Sequence, residues 1–330
     1  MIIDLPNTTT SKISKEITAL RQRGGVVALG RVLTLVVITR HGFEEEAIEA
    51  ANEASREHPC RIIVLVDSGR DSTDRIDGQI RVGGDAGASE VIVLRGYGRL
   101  AQESESLVAA LLLPDAPIVA WWPHGAPENA AATSIGCIAH RRITDSGNEP
   151  DPVAALFHLR ETYRPGDTDL AWTRLTNWRI QLAAALDQGD GTPVGAVAVE
   201  GDPDCPSTVL LAAWLRWRLH APVSIEPGPA GVGIWGVRMT QASGDTRLSR
   251  LGPRLAEIAI PGHLPQQVRL SDYTLHDCLA EELRRLEPDS VFGEAVRSIG
   301  LLSARQPDRA ARIGRERPAH RGGRVSLLAV

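Results

Sequence analysis

Lysine is nearly missing from this 330-residue chain: only Lys12 and Lys15 stand among 36 basic residues, the rest being Arg. Without a lysine after a Gly-rich loop there is no Walker A phosphate cradle. Basic charge is also outnumbered, 36 against 41 acidic residues for a net charge of −5, which excludes a general electrostatic grip on nucleic acid. The longest purely aliphatic run, Leu107 to Leu113, falls far short of the roughly 20 residues that a membrane span requires. Four cysteines (Cys60, Cys137, Cys205, Cys278) lie far apart with no CxxC, so the thiols are expected to be reduced. The opening Met1-Ile2-Ile3-Asp4 carries no secretory pattern, and a cytoplasmic protein is expected. G-x-S-x-G, HExxH and EF-hand spacings are likewise missing. Phe and Tyr number three each against seven Trp.

What is present is an ordinary globular composition, 43% hydrophobic and 23% charged, with length for two domains. Ser14 to Arg23 reads as a helix stopped by Gly24-Gly25, Val26 to Thr39 as a strand or strand pair buried on both faces, and Phe43 to Glu57 as a helix. Arg61 to Val66, Glu90 to Leu94 and Pro117 to Trp122 read as core strands, Gln79 to Val82 as an edge strand, and Gln102 to Leu113 as a helix. Helices are expected at 152–163 and 168–186, and the polar Asp187 to Thr192 is the expected boundary. Beyond it come a strand at 194–199, a helix at 205–220, strands at 223–225, 233–241 and 255–260 with a Gly244-Asp245 turn, and closing helices at 273–286 and 290–301. The expectation is two α/β domains, 1–188 and 192–302, with mixed sheets and helices packed on their faces. Residues 303–330, with seven Arg, are expected to form a mobile tail.

Few spacings carry chemistry. Gly231, Gly233 and Gly236 match G-x-G-x-x-G, but a Pro-Gly-Pro turn precedes them and the strand-like Val237 to Thr240 follows. A dinucleotide turn needs a strand before and a helix after, so these read as glycines entering a strand. The pairs Cys137/His140, His58/Cys60 and His276/Cys278 read as packed Cys and surface His rather than zinc ligands. Trp121-Trp122 ends a strand before Pro123-His124, and adjacent strand residues face opposite ways; one indole is assigned to the core and the other to a binding surface. After the Arg164-Pro165-Gly166 turn, Leu175, Trp178, Leu182 and Ala185 make a core stripe. Asp167, Asp169, Trp172 and Arg174 read plainly as a helix cap with a salt bridge, and more sharply as a recognition surface beside the paired indoles. Arg141-Arg142 could join that surface, though taken alone the pair reads as solvated charge. Trp214 and Trp217 read as another core stripe.

The stretches IIDLPNTTT, GRVLTLVV, EAANEASREHP with RIIVLV, SEVIVLRGYG, LPDAPIVAWWP, RRITDS and RPGDTDLAWTRLTNWR occur in that order. Through them the chain resembles the OpcA family, glucose-6-phosphate dehydrogenase assembly proteins of actinobacteria and cyanobacteria. The resemblance implies a non-enzymatic partner that associates with that dehydrogenase, promotes its assembly or activated state, and supports NADPH formation in the oxidative pentose phosphate pathway. It implies no cofactor, metal or catalytic set. Trp121, Trp122, His124, Arg141, Arg142, Asp167, Asp169, Trp172 and Arg174 then become candidate partner contacts. Thioredoxin-linked control, associated with cyanobacterial members, is not extended to these isolated cysteines. A second reading is a sugar-phosphate or nucleotide sensor holding a small-molecule anion effector on Arg141/Arg142 and Arg174/Arg179. A third is an enzyme built on Asp167, Asp169 and His124.

Overall fold

The computed structural model of the chain describes residues 1–24, 32–82, 90–229 and 232–302. The expected basic tail, residues 25–31 and Gly231 lie outside them.

The first half runs β1 (Ile2–Leu5), α1 (Thr10–Gly24), β2 (Leu33–Arg40), α2 (Glu44–Ala54), β3 (Cys60–Asp67), β4 (Arg75–Arg81) and β5 (Glu90–Tyr97). It continues through α3 (Glu105–Val108), β6 (Ile118–Trp122), α4 (Ser134–Ile138), β7 (Arg141–Thr144), α5 (Pro152–Thr162) and β8 (Asp167–Asp169). These strands make an eight-stranded mixed sheet in the order β1-β4-β5-β3-β2-β6-β7-β8. From β5 to β8 the pairings are parallel, while β4 runs antiparallel to β5 and β1 antiparallel to β4. The continuous apolar runs of β2, β3, β5 and β6 follow from burial on both faces. One face packs Leu35, Val37, Ile62 and Val64 under α2. The other packs Val36, Ile63, Ile92 and Trp122 under Ile13 and Ile17 of α1 and Leu107 and Val108 of α3.

The second half runs α6 (Leu170–Thr173), α7 (Thr176–Asp187), β9 (Val194–Gly201), α8 (Pro206–Leu219), β10 (Val223–Pro227), β11 (Ile234–Gln241), β12 (Gly244–Gly252), β13 (Leu255–Ala259) and β14 (Gln266–Arg269). Helices α9 (Leu275–Arg284) and α10 (Ser290–Ser298) close it. Its six-stranded sheet, β10-β9-β11-β12-β13-β14, is antiparallel apart from β9 and β10. Along β12, buried Thr246, Leu248 and Arg250 alternate with less buried residues, the period of a sheet covered on one face. The covered face holds Val197, Val237, Met239 and Leu248 against α5, α7, α8 and α10. The Leu175, Trp178, Leu182 and Ala185 stripe lies there as expected. Trp214 packs partly buried beside it, and Trp217 is half-buried next to Arg218.

The halves are interlaced. Val153, Leu156 and Leu159 of α5 belong to the second core although β8 of the first sheet follows them, and Cys278, Leu279 and Leu283 of α9 return to cover the first sheet. The polar 187–192 loop is present, but the cores do not divide there.

Several elements differ from expectation. β4 begins at Arg75 and lies between β1 and β5 rather than at the edge, because β1 adds a further strand. The expected helix from Gln102 to Leu113 is helical over Glu105–Val108 alone; a tight bond from Leu111 N–H to the Val108 carbonyl (2.7 Å) closes it as a turn. The expected helix from Thr168 to Leu186 is instead β8 followed by two helices, since Asp167–Asp169 pair with Arg142–Thr144 of β7.

Candidate functional site

Seven of the nine candidate contact residues lie inside the molecule. Trp121, Trp122 and Trp172 are 0, 2 and 1% exposed, Arg141 and Arg142 are 2 and 7%, and Asp167 and Asp169 are equally buried. The reading of Arg141-Arg142 as solvated charge is therefore corrected. Adjacent residues on β7 face opposite ways, and each guanidinium finds its own internal set of acceptors. Arg142 donates to Asp167, to the Ala139 carbonyl (2.9 Å) and to the Pro165 carbonyl (2.7 Å). Gly166, at φ +97°, allows this approach; a Cβ there would sit 2.7 Å from the His140 carbonyl and 2.8 Å from the Arg142 guanidinium. Arg141 pairs with Glu282 of α9 and donates to the carbonyl of Glu287 (2.6 Å) just past that helix, where positive charge is favoured. Burial raises the Glu282 carboxyl above its ordinary range, and Arg141 opposes the shift.

The Asp167 to Arg174 segment completes this network. Asp169 caps α6 by accepting from Ala171 N–H (2.9 Å), and it also accepts from Thr144 Oγ1 (2.7 Å), Ser146 N–H (2.9 Å) and Ser146 Oγ (2.8 Å). Burial, then the neighbouring Asp145 charge, pushes its pKa up to about 6. Arg174 binds Asp145 through two bonds of 2.7 Å each. Trp172 donates from Nε1 to Asp289 (2.9 Å) and lies 5.8 Å from the Phe292 ring, with Arg179 over its own ring at 3.8 Å. The cap-plus-salt-bridge reading describes the local contacts, and Trp172 and Asp169 are used up in packing. Together β7, β8, α6 and α9 form a charged keystone joining the two cores.

The open feature lies elsewhere. In the order β5-β3-β2-β6-β7-β8 the chain reverses direction of growth between β2 and β6, and ligands of doubly wound sheets bind beyond the strand ends at such a point. A cavity of about 600 Å³ sits there, lined among others by Arg40, Asp67, Arg70, Glu103, Trp122 and His124. Trp121 faces the opposite side of the sheet, as strand alternation requires, but both indoles are core residues, so neither presents the binding surface expected of one of them. Trp122 donates from Nε1 to Glu103 Oε2 (3.2 Å), while Glu103 Oε1 is buried with no hydrogen-bond partner among the described residues. His124, half-buried at the mouth, stacks obliquely on Phe43 at 4.8 Å.

This crevice is not shaped as a dinucleotide turn. That turn carries glycines and a free helix N-terminus after the first strand. Here Arg40-His41-Gly42-Phe43 leads into Glu44-Glu45-Glu46, and Glu44 folds back to accept from Gly42 N–H (2.6 Å), with Arg95 at 3.4 Å. The other Gly motif enters a strand as expected: Gly233 precedes β11 and Gly236 lies within it.

Cys60 and Cys278 are buried, Cys205 is half-buried and Cys137 exposed. Burial raises the Cys278 thiol to about 12, away from thiolate chemistry. Among the described residues no group of three or more His, Cys, Asp or Glu could hold a metal ion, and no helix is long and apolar enough to cross a membrane. Sequence reasoning passed over Arg40, Asp67 and Glu103. The first two were marked by their places at the ends of adjacent parallel strands, where Arg40 pairs in register with Asp67. Glu103 carried no signal, since it lay in a segment read as a regular helix.

Among solved structures, an oxidoreductase from Sinorhizobium meliloti is similar at 10% identity and a TM-score of 0.48, covering 82% of this chain and 95% of its own. KijD10, a 3-ketoreductase from Actinomadura kijaniata, matches at 10% identity and 0.45, covering 82% and 97%. Likeness at this level assigns neither activity nor cofactor. No curated protein matches the chain. Residues 51–161 match the family model described as glucose-6-phosphate dehydrogenase subunit N-terminal domain, and residues 165–296 match that of the C-terminal domain. With both regions present in order, the chain belongs to the OpcA family of glucose-6-phosphate dehydrogenase assembly proteins.

Proposed function

We propose that the chain is a non-catalytic subunit that binds glucose-6-phosphate dehydrogenase and favours its active oligomer, supporting NADPH formation in the oxidative pentose phosphate pathway. The observation that carries this reading is the family match across both halves. The internal chemistry agrees with it: the acids and arginines of the RRITDS and GDTDLAWTR stretches bind one another and the backbone. Such a subunit works by holding the active state of its partner more tightly than the inactive one, or it shifts nothing. A hundredfold shift requires about 2.7 kcal/mol of differential binding.

The test is NADPH formation by the dehydrogenase of the same organism, with and without this chain, together with the size of the resulting complex. A rate or oligomer that tracks added chain supports the reading. An unchanged rate and size with no co-elution overturns it. Of the nine candidate contacts, His124 is the one whose removal separates contact from folding, because it is half-buried at the crevice mouth. Arg174 also reaches the surface but neutralises the buried Asp145. The other seven act on a partner through the shape they impose.

A further inference from the structure

We propose that the open face of the six-stranded sheet is a self-complementary surface that pairs with the same face of a second copy of the chain. The core of the second half lies on the other face, where Val197, Val237 and Leu248 meet the helices. Side chains alternate along a strand, so Ala198, Arg238 and Arg247 point the opposite way. That side meets solvent: Ala196, Ser224, Thr240 and Arg247 on it are exposed. The pairing register sets the face in two rows across the strands. From β10 to β13 one row runs Ser224, Ala198, Arg238, Arg247 and Ala259. Two residues along each strand, the next row runs Glu226, Glu200, Gly236, Ser249 and Glu257. A Cβ added to Gly236 would lie 3.3 Å from Glu200 Oε2 and 3.6 Å from Ser249 Oγ, which places all three on this face.

Each strand thus offers one long charged side chain and one short one, and the charge of the first row is positive where that of the second is negative. A twofold axis across the strands, midway between the rows, lays the first row of one copy over the second row of the other. Arg238 and Arg247 then fall opposite Gly236 and Ser249 of the second copy, and Glu200 and Glu257 fall opposite its Ala198 and Ala259. Strands lie about 4.8 Å apart and stacked sheets about 10 Å, so Arg238 reaches Glu200 of the second copy and Arg247 reaches its Glu257. Within one chain Arg238 holds Glu226 at 3.3 Å and Arg247 holds Asp245 at 2.9 Å, whereas Glu200 and Glu257 have no cation among the described residues. A second copy supplies both. Alternation of size and sign between neighbouring rows is what an isologous contact demands, and an unrelated partner would require no such relation. The area is roughly 24 Å by 23 Å on each copy, about 1,100 Å² for both, near the lower limit for a specific interface. The dimer is therefore reversible and salt-sensitive, with dissociation in the micromolar range. The inference does not rest on the assembly reading.

The full-length chain is followed by sedimentation velocity from about 1 to about 200 µM, at low salt and at about 0.5 M salt. The expected result is a reversible passage from monomer to dimer with no larger species, weakened at least fivefold by the higher salt. Arg247→Glu should weaken the dimer at least tenfold at an unchanged melting temperature, and adding Glu257→Arg to it should restore pairing. Ser249→Arg sets a guanidinium opposite Arg247 of the second copy and should also abolish the dimer; it remains informative if Arg247→Glu fails to fold. A monomer at every concentration, growth beyond a dimer, indifference to salt, or a dimer that survives both Arg247→Glu and Ser249→Arg would each overturn the proposal. So would a monomer whose co-elution with glucose-6-phosphate dehydrogenase is lost in Arg247→Glu, a result that gives the face to that enzyme. Sedimentation is run without the dehydrogenase, so failure here is distinct from failure of the activation assay.

Discussion

The β7–β8 edge and the β2–β6 crevice belong to one sheet and hold similar residue types, yet they spend them differently. At the edge, Arg141, Arg142, Asp145, Asp167 and Asp169 all have partners, many with two or three bonds. In the crevice, Glu103 keeps an unmatched oxygen and Arg40 has no carboxylate among the described residues. The edge network is dense rather than complete, since Arg141 Nε and Thr168 Oγ1 are buried there without a hydrogen bond among the described residues, and it is the number of its bonds that fixes geometry. The residues most conspicuous in the sequence lie at the edge.

The sharpest way to break that contrast is Arg142→Ala, which strands Asp167 as a buried charge. A loss of about 3–5 kcal/mol is expected in urea unfolding, and a loss below about 1 kcal/mol would show that the edge is not a keystone. Trp172→Phe keeps the ring but removes the bond to Asp289, and should cost about 1–3 kcal/mol in the same experiment.

Acid should read the edge more gently. Asp169 titrates at about 6 in the fold against an ordinary 3.8, so the native state holds its proton more strongly than the unfolded chain. Its contribution to stability should therefore fall as pH rises from about 4 to about 6 and stay level above. The difference in unfolding free energy between wild type and Asp169→Asn, followed across that window, should shrink with rising pH; a flat difference contradicts the shift. Smallest of all, His124→Ala should change stability by less than about 1 kcal/mol, while any loss of dehydrogenase activation by that variant would mark the crevice mouth as a contact.

Strands β2, β3, β5 and β6 were legible because burial on both faces demands unbroken aliphatic runs, as in Arg61 to Val66. Strands β7 and β8 were not. Arg141-Arg142-Ile143-Thr144 and Asp167-Thr168-Asp169 look like polar loops until each strand's charges are seen to pair with the other's and with the backbone. The paired indoles were placed on opposite faces by alternation alone, but their burial depended on α3, α9 and loops distant in sequence. Asp187 to Thr192 looked like a border because it is short and polar; composition carries no trace of α5 and α9 crossing to the other core. The crevice was hidden for the same reason, since its lining comes from the ends of separate strands.

Helix α9 gives the chain a vectorial problem. As synthesis proceeds from the amino end, β2, β3 and β5 emerge long before Cys278, Leu279 and Leu283, which seal one face of their sheet, and Arg284 meets Glu57 across 227 residues of sequence. Such distant closure is slow and leaves apolar surface open to aggregation while it is pending. The amino-terminal half therefore cannot finish as an early folding unit. A cut between residues 161 and 165, where the two family regions meet, would leave one fragment lacking its lid and the other lacking α5.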